Sequence, residues 1–134
     1  MTGLVLDASG AIEIVCETEL GKNLFNVLSC FSPWWVPDHF HVEAAAGLRN
    51  LYVRKLLTSD VASTALHRVL EMPLFVERSL PNIPHAWNLK DNLTIQDSLY
   101  VLLARKLGLP LLTSDQRLMR SPHLGVVVLE TGDF

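Results

Sequence analysis

The chain has 134 residues, 49% of them hydrophobic, and carries a formal net charge of −3 from 14 acidic and 11 basic side chains. That length suits one domain, here expected over residues 1–134, with a core large enough to need neither disulfide nor structural metal. The charge balance excludes the broad basic surface of a non-specific nucleic-acid binder, while leaving room for a metal-loaded acidic site with a local basic rim.

Residues 3–7 (GLVLD) are a short apolar run, read as a first strand; it ends at Asp7, too early for a signal peptide. Residues 8–16 and 21–31 read as helices, and Cys16 and Cys30, without CxxC spacing, read as buried free thiols of a reducing, cytoplasmic compartment. Residues 34–36 (WWV), closed by Pro37, are a second strand, followed by helices over 38–55 and 59–71. Residues 74–77 (LFVE) are a third strand, 85–90 a short helix, and 94–107 a strong helix that Gly108 and Pro110 stop. Residues 111–113 (LLT) are a fourth strand, 115–120 a helical turn, and 126–129 (VVVL) a fifth strand. No apolar stretch approaches the roughly 20 residues of a membrane span. Mean hydropathy is high at +0.28, as strands buried on both faces, or a second apolar interface, would produce.

Strands that are apolar throughout and alternate with helices predict a three-layer α/β/α fold around a parallel sheet. Sites in such sheets form beyond the carboxyl ends of the strands, and several acids follow strands directly. Asp7 follows the first strand and Asp115 the fourth; each could instead cap the next helix. Asp97 stands in a capping-box pattern, TIQD, yet Asp97, Tyr100, Val101 and Ala104 follow the i, i+3, i+4, i+7 spacing of a core-facing stripe. An inward carboxylate is costly unless it is paired, hydrogen-bonded or metal-bound. Glu43 lies on the flank of the stripe made by Phe40, Ala44, Gly47, Leu48 and Leu51, about 60° from Phe40; a half-exposed surface role remains open for it. Clustered carboxylates raise one another's pKa unless a cation is present, and all-oxygen donors suit Mg²⁺ or Mn²⁺.

The segments LVLDASGAIE, HVEAAAGLRN and LTIQDSLYVLLARKLGLPLLTSDQRL, with a closing apolar strand, resemble a PIN-domain ribonuclease, and their order resembles the VapC toxins of toxin–antitoxin pairs. The resemblance covers essentially the whole chain. It implies a five-stranded parallel sheet in the order 3-2-1-4-5 and Mg²⁺- or Mn²⁺-dependent endonucleolytic cleavage of RNA. Asp7, Glu43, Asp97 and Asp115 match the family's four acidic positions, with Asp7, Asp97 and Asp115 expected on the metal and Glu43 completing the site or orienting water. Ser9 and Thr113 match its supporting hydroxyl residues. It further implies a homodimer silenced by a small VapB-like antitoxin in a hetero-oligomer. Two positions depart from the pattern: Ala46 where family members often carry Asn, and Gln96 where an aromatic often precedes the third acid.

Arg117, Arg120 and Arg54 are candidate phosphate contacts, as are Arg49, Lys55, Arg105 and Lys106 among residues that could equally form a solvated face. His39, His41 and Glu43 lack the common face that zinc would need. Trp34, Trp35, Leu48, Leu51 and Tyr52 could line an antitoxin groove or belong to the core. The rival readings are a catalytically silent PIN-like module that binds protein or RNA, and an aspartate-based phosphatase with Asp7 as nucleophile. The phosphatase chemistry wants a second acid where Ser9 stands.

Overall fold

The computed structural model describes residues 2–121 and 124–129. Strands β1 (Leu4–Leu6), β2 (Trp34–Pro37), β3 (Leu74–Glu77), β4 (Leu111–Leu112) and β5 (Val128–Leu129) form one sheet in the order β3-β2-β1-β4-β5. Every pairing is parallel, as expected. Helices α1 (Ala8–Val15), α2 (Glu19–Leu28), α3 (Phe40–Val53), α4 (Ser59–Glu71), α5 (Ile83–Asn88), α6 (Ile95–Leu107) and α7 (Gln116–Arg120) complete the three-layer arrangement. None of the described helices is long and apolar enough to cross a membrane. The central strand shows why the apolar runs are continuous rather than alternating: Leu4, Val5 and Leu6 are all fully buried, because helices cover both faces.

Several boundaries move for identifiable reasons. Helix α2 starts at Glu19 rather than Gly21, because Thr18 is its N-cap and accepts from the Gly21 amide at 2.9 Å. Gly21 is then a contact residue: a Cβ there would lie 1.9 Å from the Glu13 carbonyl oxygen, so α1 and α2 approach too closely for any larger side chain. The same helix ends at Leu28, and the Trp34 indole donates to the carbonyls of Phe31 (2.8 Å) and Leu28 (3.2 Å) beyond that end. Cys30 falls in this turn and is exposed, which corrects its reading as a buried thiol; Cys16 is half-buried. Helix α5 begins at Ile83, with Pro84 in its first turn and a 3₁₀ turn, Leu80–Asn82, before it. Helix α6 stops at Gly108, whose φ of +64° is the left-handed cap expected there. The fifth strand is shorter than its apolar run, and Thr113 has already left β4.

The carboxyl ends of β1 and β4 and the starts of α3 and α6 all face one edge of the sheet, and the four acids stand there.

Candidate active site

Asp7 is the first residue after β1 and is 5% exposed. It occupies the N-cap position of α1 without making a side-chain capping bond. Its carboxylate turns instead toward the neighbouring strand end. Oδ2 accepts from Thr113 Oγ1 at 2.6 Å and from Ser9 Oγ at 2.8 Å. Thr113, fully buried, also accepts from the Asp115 amide at 3.0 Å, and Ser9 Oγ accepts from the Ser114 amide at 3.2 Å. The two hydroxyl residues therefore tie the end of β1 to the turn after β4. Burial pushes the Asp7 carboxyl above its ordinary range; the hydroxyl donors oppose this, and Asp97 and Glu43 add to it.

Asp97 lies in the first turn of α6, half-buried, as its helical phase requires. Thr94 Oγ1 caps the helix by accepting from the Asp97 amide at 3.1 Å. Burial, then Asp115 and Glu43, raise the Asp97 carboxyl, against opposing pulls from Thr94 and Arg117. Asp7 and Asp97 are thus two desolvated acids repelled by neighbouring carboxylates, the condition a cation relieves.

Glu43 and Asp115 are held the other way. Burial raises Glu43, but contacts with His39 and Tyr100 outweigh it and keep the carboxyl below its usual value. Tyr100 donates its hydroxyl to Oε1 at 2.7 Å, and His39 Nε2 lies 3.1 Å from the same oxygen. Asp115 caps α7 by accepting from the Arg117 amide at 2.9 Å, so the capping reading holds in part for this residue. The Arg117 guanidinium also sits on it, 3.1 Å from Oδ2, and outweighs burial to lower its pKa.

The structure therefore brings together Asp7, Ser9, Glu43, Asp97, Thr113, Asp115 and Arg117. Arg120 is exposed at the end of α7, near this edge. Arg54 is not part of the group: it is the C-cap of α3, 11 residues past Glu43 and so roughly 16 Å along the helix axis. Among the other basic residues, Arg105 donates to the Leu124 carbonyl and Lys106 pairs with Glu77. Leu48 belongs to the core and Tyr52 is exposed, while a cavity of about 690 Å³ lined by Phe25, Leu28, Trp34 and Met72 contains none of the acids. Sequence reasoning missed Tyr100 and His39 as site neighbours. The available signal was spacing: Tyr100 is one turn after Asp97, and His39 one turn before Glu43.

Among the described residues, no three His, Cys, Asp or Glu side chains stand as a ready-made coordination group. The donor set nonetheless fits a hard dication that keeps most of its water. It is all oxygen, and among the described residues no hydrogen bond reaches Asp7 Oδ1 and the cation paired with the cluster is Arg117, an 81% exposed side chain.

No protein-family model matches the chain. Ribonuclease VapC12 of Mycobacterium tuberculosis is 33% identical over 118 residues, covering 88% of this chain and 91% of that protein. Ribonuclease VapC1 of the same organism is 30% identical over 123 residues, covering 89% and 84%. Ribonuclease VapC3, again from Mycobacterium tuberculosis, is 29% identical over 118 residues, covering 88% and 86%. The crystal structure of PAE2754 from Pyrobaculum aerophilum superposes with a TM-score of 0.69 over 97% of this chain and 85% of that one, at 21% identity, a similarity of fold.

Proposed function

The chain belongs to the VapC-type PIN-domain ribonucleases, and from that premise we propose that it is a divalent-metal-dependent endoribonuclease toxin whose site is Asp7, Glu43, Asp97 and Asp115. The observation that supports the metal dependence is the pair Asp7 and Asp97: two acids driven upward by burial and by neighbouring carboxylates, on the sheet edge where such folds place their chemistry.

Asp7, Asp97 and Asp115 are the ligands in this reading, with Mg²⁺ or Mn²⁺ as the ion. When bound, the ion polarises the scissile phosphate and lowers the charge cost of the attack. Ser9 and Thr113 aim the Asp7 carboxylate and favour its ionised form against the pull of burial, since each donates to Oδ2. Glu43 accepts a hydrogen bond from the attacking water and orients it toward phosphorus. The water oxygen bonds to phosphorus and releases one proton to solvent water, the ester P–O bond breaks, and the departing ribose oxygen takes up one proton from solvent water to leave as a hydroxyl. Arg117 leaves Asp115 and contacts the phosphate, with Arg120 beside it; such contacts position RNA without reading its sequence.

An Asp7 phosphoenzyme fits less well. The side chain is nearly inaccessible and one of its oxygens already takes two donors. A cytoplasmic toxin of this kind acts by cutting RNA needed for translation, as a homodimer that a small VapB-like antitoxin inactivates.

The test is cleavage of RNA by the chain freed from any partner, with Mg²⁺, with Mn²⁺ and with EDTA. Cutting is expected with either metal and absent in EDTA. Cleavage that persists in EDTA, or at full rate in Asp97→Asn, defeats the mechanism. Expression of the chain alone should arrest growth, and co-expression of a short reading frame found next to its gene should restore it.

A further inference from the structure

Glu43 is gripped by two residues to which the hydrolysis outlined above gives no part. Tyr100 stands on α6 one turn after Asp97 and is fully buried, its ring set by core packing. Its hydroxyl donates to Glu43 Oε1 at 2.7 Å. His39 stands one turn before Glu43 on the other side of the same oxygen, Nε2 at 3.1 Å, and its ring tilts 58° against Tyr100 with centroids 5.0 Å apart. Neither ring nitrogen of His39 makes an aligned hydrogen bond among the described residues, so it braces Glu43 by contact. Glu43 Oε2 takes no hydrogen bond among the described residues.

We infer that Tyr100, braced by His39, is a positioning residue that sets the placement of Glu43 relative to Asp97, leaving Oε2 as the oxygen presented to the attacking water. The inference rests on the hydrolytic reading above. A glutamate has three rotatable side-chain bonds and loses considerable freedom when fixed; a half-exposed one without an anchor samples several rotamers. The anchor here is rigid because packing holds it, and rigid support is what keeps a reacting group in place. Burial together with Asp7 and Glu43 keeps the phenol protonated, so it is always a donor. Asp97 and Tyr100 share one face of α6 at i, i+3 spacing. The Tyr100–Glu43 bond is thus a fixed spacer between two acids on different helices.

The test is RNA cleavage with Mg²⁺ by the wild type, Tyr100→Phe, Glu43→Gln and the double variant, each checked for folding by circular dichroism. Phe keeps the ring and its packing and removes only the donor. Tyr100→Phe should lower kcat by roughly 10- to 100-fold at unchanged KM, the scale of loss from a small misplacement. In the Glu43→Gln background it should lower kcat no further. A structural role alone would give the same loss in both backgrounds, and that result, or an unchanged kcat in the single variant, overturns the inference. His39→Ala should show a smaller kcat loss that His39→Gln partly restores, and these variants carry the test if Tyr100→Phe does not fold. Full activity in Glu43→Gln would instead overturn the hydrolytic reading itself, and the inference with it.

Discussion

Replacing Thr113 with valine removes one hydroxyl and keeps the shape, at a position with no solvent exposure. Its contacts go with it: the buried donation to Asp7 Oδ2 at 2.6 Å, the part-buried acceptance from the Asp115 amide at 3.0 Å, and a 3.1 Å approach to Ser9 Oγ. A hydrogen bond to a charged group contributes about 1.5–3 kcal/mol, and an amide left unpaired costs about 1–3 kcal/mol. The added methyl returns about 0.8 kcal/mol. The net expectation is a loss of about 2–5 kcal/mol, large against the roughly 5–15 kcal/mol of a typical domain. Urea unfolding should show a lower midpoint at unchanged slope, and thermal unfolding a drop on the order of 10 °C. Thr113→Ser keeps the hydroxyl and loses only the methyl, about 1 kcal/mol. A Thr113→Val protein as stable as Thr113→Ser would refute the claim that this hydroxyl ties the two strand ends together. Pairing Thr113→Val with Asp7→Asn adds a check, since the two changes share a bond and should combine less than additively.

Adding Mg²⁺ should raise the melting temperature of the wild type, by the equivalent of about 2.7 kcal/mol at a hundredfold excess over Kd; Asp97→Asn should lose most of that response, and an equal response in both would remove Asp97 from the metal site. Arg117→Ala frees Asp115 and should tighten Mg²⁺ binding by up to about fivefold, the scale of a surface ion pair, while raising KM for RNA; calorimetry and steady-state kinetics moving in the same direction would contradict the two roles assigned to Arg117. Gly21→Ala must push α2 off α1 and should cost about 1–3 kcal/mol or more, measured by thermal unfolding. A melting curve indistinguishable from wild type would mean the helices separate freely there.

The inner strands β1 and β4 were legible because burial on both faces leaves them apolar throughout, and the edge strand β3 was legible as a short apolar run although Phe75 and Val76 are half exposed. Their order was not in the pattern: hydrophobicity says that a strand is buried, not which strand lies beside it, and the order came from resemblance. Helix ends were legible where backbone chemistry is strict, as at Gly108, and missed where a cap precedes a polar start, as at Thr18 before Glu19. Asp97 was legible from phase, since Tyr100, Val101 and Ala104 are indeed buried beside it. The fate of Tyr100 was not, because an aromatic in a core stripe looks the same whether or not its hydroxyl meets a carboxylate on another helix. Arg54 was a phosphate candidate beside Arg117 and Arg120, although only the latter two stand just after Asp115 in the chain. The direction of α3 separates them, because its start faces the acids and its end faces away.

The bond from Thr113 to Asp7 joins residues 106 positions apart in the chain. A growing polypeptide has Asp7 and Ser9 almost at once, but it lacks the partner strand until most of the chain has been translated. At about 5–20 residues per second, that interval lasts several seconds. During it the nascent chain has no assembled site. The carboxylate-bearing edge therefore comes together late, after the turn that follows β4 has been made.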